Sequence, residues 1–381
     1  MEQSVIFTVY GYNVKNFLGN KIYLDNTKPV AIVAERDEYV GKAFYELPII
    51  SRKQFKKGRY AITCAKFFIG TDIPNEVADI VRFLTEECGI DNSKIFDYRL
   101  AGKNLLMKAM EKNQNSPDPE IRNILASWAK SMQINIYGTY NPHDYGNEWH
   151  EVKHDRDGFP YVMFEGKKMF YPKNYWRIRK DAAGRETIYD ILLEQHEHSP
   201  HLYIDDDFTT VDKIRGGVLV DAGVCEGNFA LRYADEARKI YLLEPDPEWQ
   251  EPLRRTFSPY MDKVVFCDKF LSANDTAKTI TLDTLLKGEK IDFLKMDIEG
   301  AEVDALLGAK HTLYKSDAQV AVCGYHRQND AENISMLLQV YGYETAHSEG
   351  YMFFIYDENI AYTLDFRRGI VYGRKKQKNR L

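Results

Sequence analysis

The chain has 381 residues, 44% hydrophobic and 28% charged, with a formal net charge of −6. This length favours two domains, the composition excludes a disordered or fibrous chain, and the negative charge argues against a nucleic-acid partner. No apolar run approaches the roughly 20 residues of a membrane span, and Met1 to Ser4 lacks the features of a secretory signal, so a cytoplasmic location is expected.

Residues 1–112 read as a small α/β unit. Val5 to Val9, Val30 to Val33, Tyr60 to Cys64 and Lys94 to Tyr98 have strand-like composition, and Glu76 to Cys88 has helical periodicity with Val77, Ile80, Val81 and Leu84 on one face and Gly89 as a stop. A phosphate-binding turn would need several glycines after the first strand, but Tyr10-Gly11-Tyr12-Asn13 offers one, so such a site is absent or degenerate.

The polar, proline-bearing stretch from Asn113 to Pro119 marks a boundary. Residues 113–198 then read as a connecting region: a helix from Glu120 to Met132, aromatic and turn-rich sequence from Tyr137 to Tyr175, a β-hairpin from Gly158 to Pro172 turned at Glu165-Gly166-Lys167, and a helix over Ile188 to His196. His196, His198 and His201 read as polar residues at that helix end. Cys64, Cys88, Cys225, Cys267 and Cys323 form no C-x-x-C pair and read as small buried apolar residues.

Residues 199–381 hold the chemistry. The apolar strand Val218-Leu219-Val220 ends in Asp221, turns through Gly223 and Gly227, and enters a helix carrying Phe229, Ala230 and Leu231. This D-x-G-x-x-x-G spacing differs from the G-x-G-x-x-G that cradles a pyrophosphate, and it suits S-adenosylmethionine, which has a sulfonium, an ammonium and a carboxylate but no phosphate. Glu226 and Asn228 lie in the same turn. The strand from Lys239 to Leu243 delivers Glu244, followed by Pro245, to accept ribose hydroxyls. After Val264 to Phe266, Asp268 is placed to reach the adenine amino group.

The strand from Ile291 runs into three acids at the sheet's ligand edge, Asp297, Glu299 and Glu302, with Lys295 either paired with a carboxylate or at the cofactor edge, and Glu302 either part of that acid group or facing solvent along the next helix. The strand from Gln319 brings His326 to the same edge. The basic residues from Arg367 to Arg380 read as a frayed, solvated terminus.

Leu294 to Glu302 (L-K-M-D-I-E-G-A-E), with Val220 to Gly223 and Gly324-Tyr325-His326, closely resembles the FkbM-type methyltransferases over roughly residues 199–356. The resemblance implies a class I methyltransferase Rossmann-like domain, preceded by the smaller degenerate Rossmann-like one, and O-methylation of a hydroxyl, often on a sugar of a glycan or natural product. It places Asp221 and Gly223 in the cofactor turn and Glu244 on the ribose. Residues 266–281 form a shorter stretch than these enzymes often carry, which bears on Asp268.

The expected mechanism is in-line attack of an acceptor hydroxyl on the methyl group, with His326 as base and Asp297 orienting it, or with Asp297 and Glu299 holding magnesium. The acceptor is a small molecule, nucleotide sugar or glycan; a homo-oligomer is allowed. Two rivals are a noncatalytic glycan- or nucleotide-sugar-binding protein and a nicotinamide-dependent oxidoreductase, the latter disfavoured by the missing glycine motif.

Overall fold

The structure, a computed structural model, describes residues 2–8, 27–34, 40–44, 46–70, 74–145, 149–175, 177–181, 183–189, 194–357 and 359–376. The chain forms two compact units, Met1–Ile134 with Phe354–Asp365, and Asn135–Phe353 with Phe366–Leu381. Among the described residues no helix is long and apolar enough to cross a membrane.

In the first unit, β1 (Gln3–Thr8), β2 (Lys28–Ala34), β3 (Ala43–Phe44), β4 (Leu47–Ile50), β5 (Lys66–Ile69) and β6 (Ile95–Asp97) make a sheet of order β3-β4-β2-β1-β5-β6. Only the β3–β4 pair is antiparallel, so the arrangement is Rossmann-like. Val5, Ile6 and Phe7 are all buried, as expected of a central parallel strand covered on both faces.

Tyr60 to Cys64 is not a strand: Tyr60–Thr63 is a short helix, and the strand is the adjacent Lys66–Ile69. The Tyr60 ring stacks on Phe55 at 5.8 Å, so its aromatic character serves packing rather than a ladder. The helix Pro74–Arg82 continues as a π-helical turn, Phe83–Glu87, and ends before Gly89 at φ +65°. Tyr10 to Asn13 lies outside the described residues.

The second unit opens with two small sheets built from β7 (Trp149–Glu151), β8 (Lys153–His154), β9 (Pro160–Phe164), β10 (Lys167–Phe170), β11 (Arg179–Lys180) and β12 (Glu186–Tyr189), in orders β10-β9-β8 and β11-β12-β7. The β9–β10 hairpin turns through Glu165 at φ +47° and Gly166 at φ +80°, the positive pair that a tight two-residue hairpin turn requires. The expected helix from Ile188 does not begin there. Glu186–Tyr189 is a strand antiparallel to β7, with Ile188 alone fully buried, a period of two rather than 3.6. Residues 190–193 of that expected helix lie outside the described residues.

The main sheet comprises β13 (Val218–Ala222), β14 (Lys239–Leu243), β15 (Val264–Cys267), then, after a separate pair β16 (Phe270–Leu271) and β17 (Thr279–Ile280), β18 (Phe293–Met296), β19 (Gln319–Cys323), β20 (Tyr343–His347) and β21 (Ile370–Lys375). Its order is β15-β14-β13-β18-β19-β21-β20, parallel except for β21. From β13 the chain winds outward through β14 and β15, then returns to β18 and winds the other way. The carboxyl ends of β13 and β18 therefore flank a topological switch point, where such sheets bind ligands.

Six of the residues expected in a frayed basic terminus, Ile370–Lys375, instead form a strand of this sheet. Ile370, Val371 and Tyr372 are buried in β21, an apolar core that the surrounding charges mask in sequence. Arg367 is buried too, and Arg374 pairs with Glu344. Residues 377–381 lie outside the described residues. The cysteines also divide: Cys64, Cys267 and Cys323 are buried as expected, but Cys88 is half-buried and Cys225 exposed.

Candidate functional site

The turn after β13 is built by a close approach of two segments, this turn and the one that follows β18. Gly223 has φ +76°, and a Cβ there would lie 1.6 Å from the Asp297 carbonyl oxygen. The Asp297 N–H in turn donates to Ala222 O at 2.9 Å. Gly227, at φ +81°, starts the helix Asn228–Arg232, and its bare α-carbon faces Phe257 and Leu253. Asn228 bonds through its Oδ1 to Phe229 N. Non-glycine residues with positive φ, Cys225 and Glu299, also occur in these two turns. Such backbone strain concentrates at functional sites.

Asp221 is fully buried and faces Lys295, with Nζ to Oδ1 at 3.0 Å. Burial works against the Lys295 ammonium, but Asp221 and then Asp297 outweigh it and hold its pKa above the ordinary value. Lys295 also donates to Gly223 O at 2.5 Å, so this ion pair ties β18 to the β13 turn. Of the two expectations for Lys295, pairing with a carboxylate is the one the structure shows.

Glu244 accepts from Cys225 N and Asp246 N, one on each carboxylate oxygen, both at 2.9 Å. It is thereby aimed across the β13 turn, with Pro245 half-buried beside it. Burial raises its pKa against those two bonds. Glu226, also buried, accepts from the Tyr175 hydroxyl at 2.8 Å. Asp268 is exposed just beyond the end of β15.

At the tip of β18, Asp297 gathers four side chains. Oδ2 accepts from Tyr203 at 2.9 Å and lies 3.5 Å from His201 Nε2; Oδ1 lies 3.3 Å from His326 Nε2 and accepts from Tyr325 at 3.4 Å. Burial would raise its pKa, but the His201 bond and the charges of His326, His201 and Lys295 hold it well below the usual carboxylate range. Its side chain keeps 23% exposure, against 4% for His326 and 8% for His201, so it is the most open of the three.

His326 is clamped. Its Nδ1 lies 2.9 Å from Glu302 Oε1, and Arg367 donates to its carbonyl oxygen. Of the two readings for Glu302, solvent exposure fails: it is wholly buried, and the same Oε1 accepts from Ile298 N. Burial disfavours the imidazolium, but Glu302 and Asp297 push the His326 pKa up to about 9. Glu299, by contrast, is exposed. The described groups at metal-ligand spacing are His201 with Asp297 and Cys323, and Asp297 with Glu302 and His326. Glu299 belongs to neither. In the second group the proton on His326 already supplies positive charge between the acids.

His201, a polar helix-end residue by sequence, is buried beside Tyr325, at 3.0 Å, and Cys323. Its position depends on residues more than 90 apart in sequence, a signal that local spacing cannot carry.

The His326 charge has a stability consequence. The folded-state pKa lies above the ordinary value of 6.5, so its contribution is complete below about pH 6.5 and is lost as pH rises through about 9, on the order of 3 kcal/mol in all. Glu302, Asp297 and Glu299 face it, as does Asp330, whose burial lifts its own pKa to about 6. Urea unfolding at several pH values should show the native protein weakening across this window and His326→Gln nearly flat. Parallel slopes for the two proteins would refute the clamp.

The family model of the methyltransferase FkbM domain matches residues 264–345, a stretch that includes β15, β18, β19, Asp297 and His326. Similar solved structures include methyltransferase FkbM from Methylobacillus flagellatus KT, at 15% identity over 97% of this chain and 89% of that one, with a TM-score of 0.39. Precorrin-6y C5,15-methyltransferase from Geobacter metallireducens GS-15 is 14% identical over 45% of this chain and 96% of its own, with a TM-score of 0.31. Magnesium protoporphyrin IX methyltransferase from Synechocystis PCC 6803, with bound SAM, is 15% identical over 43% and 72%, with a TM-score of 0.30. No curated protein shows a significant sequence match. The matched stretch lies within the C-terminal unit and runs from β15 into β20, so over residues 264–345 this unit is similar to the methyltransferase FkbM domain.

Proposed function

We propose that this domain transfers the methyl group of S-adenosylmethionine to a hydroxyl, with sugars of glycans, nucleotide sugars or natural products as the acceptor class. The observation that carries this reading is the turn after β13. Gly223 lets the backbone pass against Asp297, while Glu226 and Glu244 line the turn with carboxylates. Such a turn suits a phosphate-free nucleoside bearing a cation and repels a pyrophosphate. The donor set therefore fits the cofactor and disfavours a nicotinamide dinucleotide.

When bound, the cofactor supplies an electrophilic methyl group on a cationic sulfur. Glu244, fixed by two backbone donors, keeps lone pairs for ribose hydroxyls. Asp297, as a carboxylate, receives the hydrogen bond of the acceptor hydroxyl and orients it, and the adjacent His201 takes the released proton. His326, already protonated at neutral pH, is a poor base; it acts as a positioning residue that holds Asp297 in place.

Calorimetric titration with S-adenosylhomocysteine and with NADH tests the cofactor, and methyl transfer to a sugar and nucleotide-sugar panel tests the acceptor. Glu244→Ala should weaken S-adenosylhomocysteine by about 10- to 100-fold through loss of the ribose bonds. Binding of NADH but not of S-adenosylhomocysteine would overturn the assignment.

A further inference from the structure

The acids around the β13 turn meet one cation that comes from outside the main sheet. Arg177 follows the β9–β10 hairpin, which is fastened to the main sheet's helices: Phe170 N donates to the buried Thr256 Oγ1 at 2.9 Å, and Lys167 Nζ to Leu231 O at 2.9 Å. Between hairpin and arginine, Tyr175 is wedged by Tyr171, stacked at 5.3 Å, and by the edge of Trp249 at 5.2 Å. Its hydroxyl is thus held where it donates to Glu226 Oε1. The Arg177 Nη1 lies 4.0 Å from that same oxygen, a charge contact longer than a hydrogen bond.

An anionic and a cationic group side by side, one buried and one forked, match an α-amino acid, which carries an ammonium and a carboxylate on a single carbon. A phosphate would find Arg177 but would be repelled by Glu226. We propose that Glu226 and Arg177 are the receptor for the amino-acid head group of the cofactor, Glu226 taking the ammonium and Arg177 the carboxylate, with Tyr175 setting the Glu226 orientation. The assignment rests on the cofactor reading above. It makes Arg177, in the segment after the hairpin, and Glu226, in the β13 turn, jointly the source of discrimination between the intact cofactor and its nucleoside fragment.

The test titrates the full-length protein with S-adenosylhomocysteine and with 5′-methylthioadenosine, which keeps the thioether nucleoside but lacks the amino acid. Arg177→Ala and Glu226→Gln should each weaken S-adenosylhomocysteine by about tenfold or more and change 5′-methylthioadenosine by less than about twofold. Equal weakening of both ligands, or unchanged S-adenosylhomocysteine affinity, would overturn the clamp while leaving the cofactor reading intact. If the unaltered protein binds neither ligand, the cofactor reading itself fails and the clamp with it.

Discussion

Gly223→Ala is expected to destabilise the C-terminal unit by about 4 kcal/mol or more and to abolish S-adenosylhomocysteine binding. Two penalties combine. A side chain at φ +76° costs on the order of 1 kcal/mol, and the new methyl would overlap the Asp297 carbonyl, a backbone atom held by its own strand. Relief requires β13 and β18 to part, which displaces Asp297. Gly288 provides the control: it has φ +87° with nothing within 4 Å, so Gly288→Ala should cost only about 1 kcal/mol and spare binding. Similar losses at the two glycines would mean that the approach of the strands is not what matters.

The second large effect concerns Lys295 and Asp221. Lys295→Met should cost about 3–5 kcal/mol, because it leaves the Asp221 carboxylate buried without its cation and removes the bond to Gly223 O. Asp221→Asn in the same chain should recover much of that loss, since neither remaining group carries a charge. Two units can unfold separately, so hydrogen exchange of β13 and β18 during urea titration is the appropriate readout. Additive costs in the double variant would show that the pair is not energetically coupled.

These effects explain why some of the molecule is legible in sequence and some is not. The strand Lys239–Leu243, the helix after Asp118 and the tight hairpin at Glu165-Gly166 follow from local rules of periodicity, capping and turn chemistry. So does the arrival of Asp221, Glu244, Asp297 and His326 at strand ends, because parallel strands separated by helices must end on one edge. What escapes is set by distant partners. His201 reads as one of three histidines in a polar stretch until Tyr325 and Asp297 close around it. Glu302 reads as an exposed helix residue until His326 is seen against it. His326 itself sits where a base is expected, but the two carboxylates that change its protonation come from β18 and the helix beyond it, and only their distances reveal that.

The placement of β21 bears on how the protein is made. This strand follows all the others of the main sheet along the chain, yet it occupies an inner position, between β19 and β20. During synthesis the ribosome must release residues 370–375 before those two strands acquire their shared neighbour. Until then both present unpaired backbone edges on which other nascent chains could template. Completion of the domain is therefore a late event, coupled to release of this strand rather than to gradual accretion during translation.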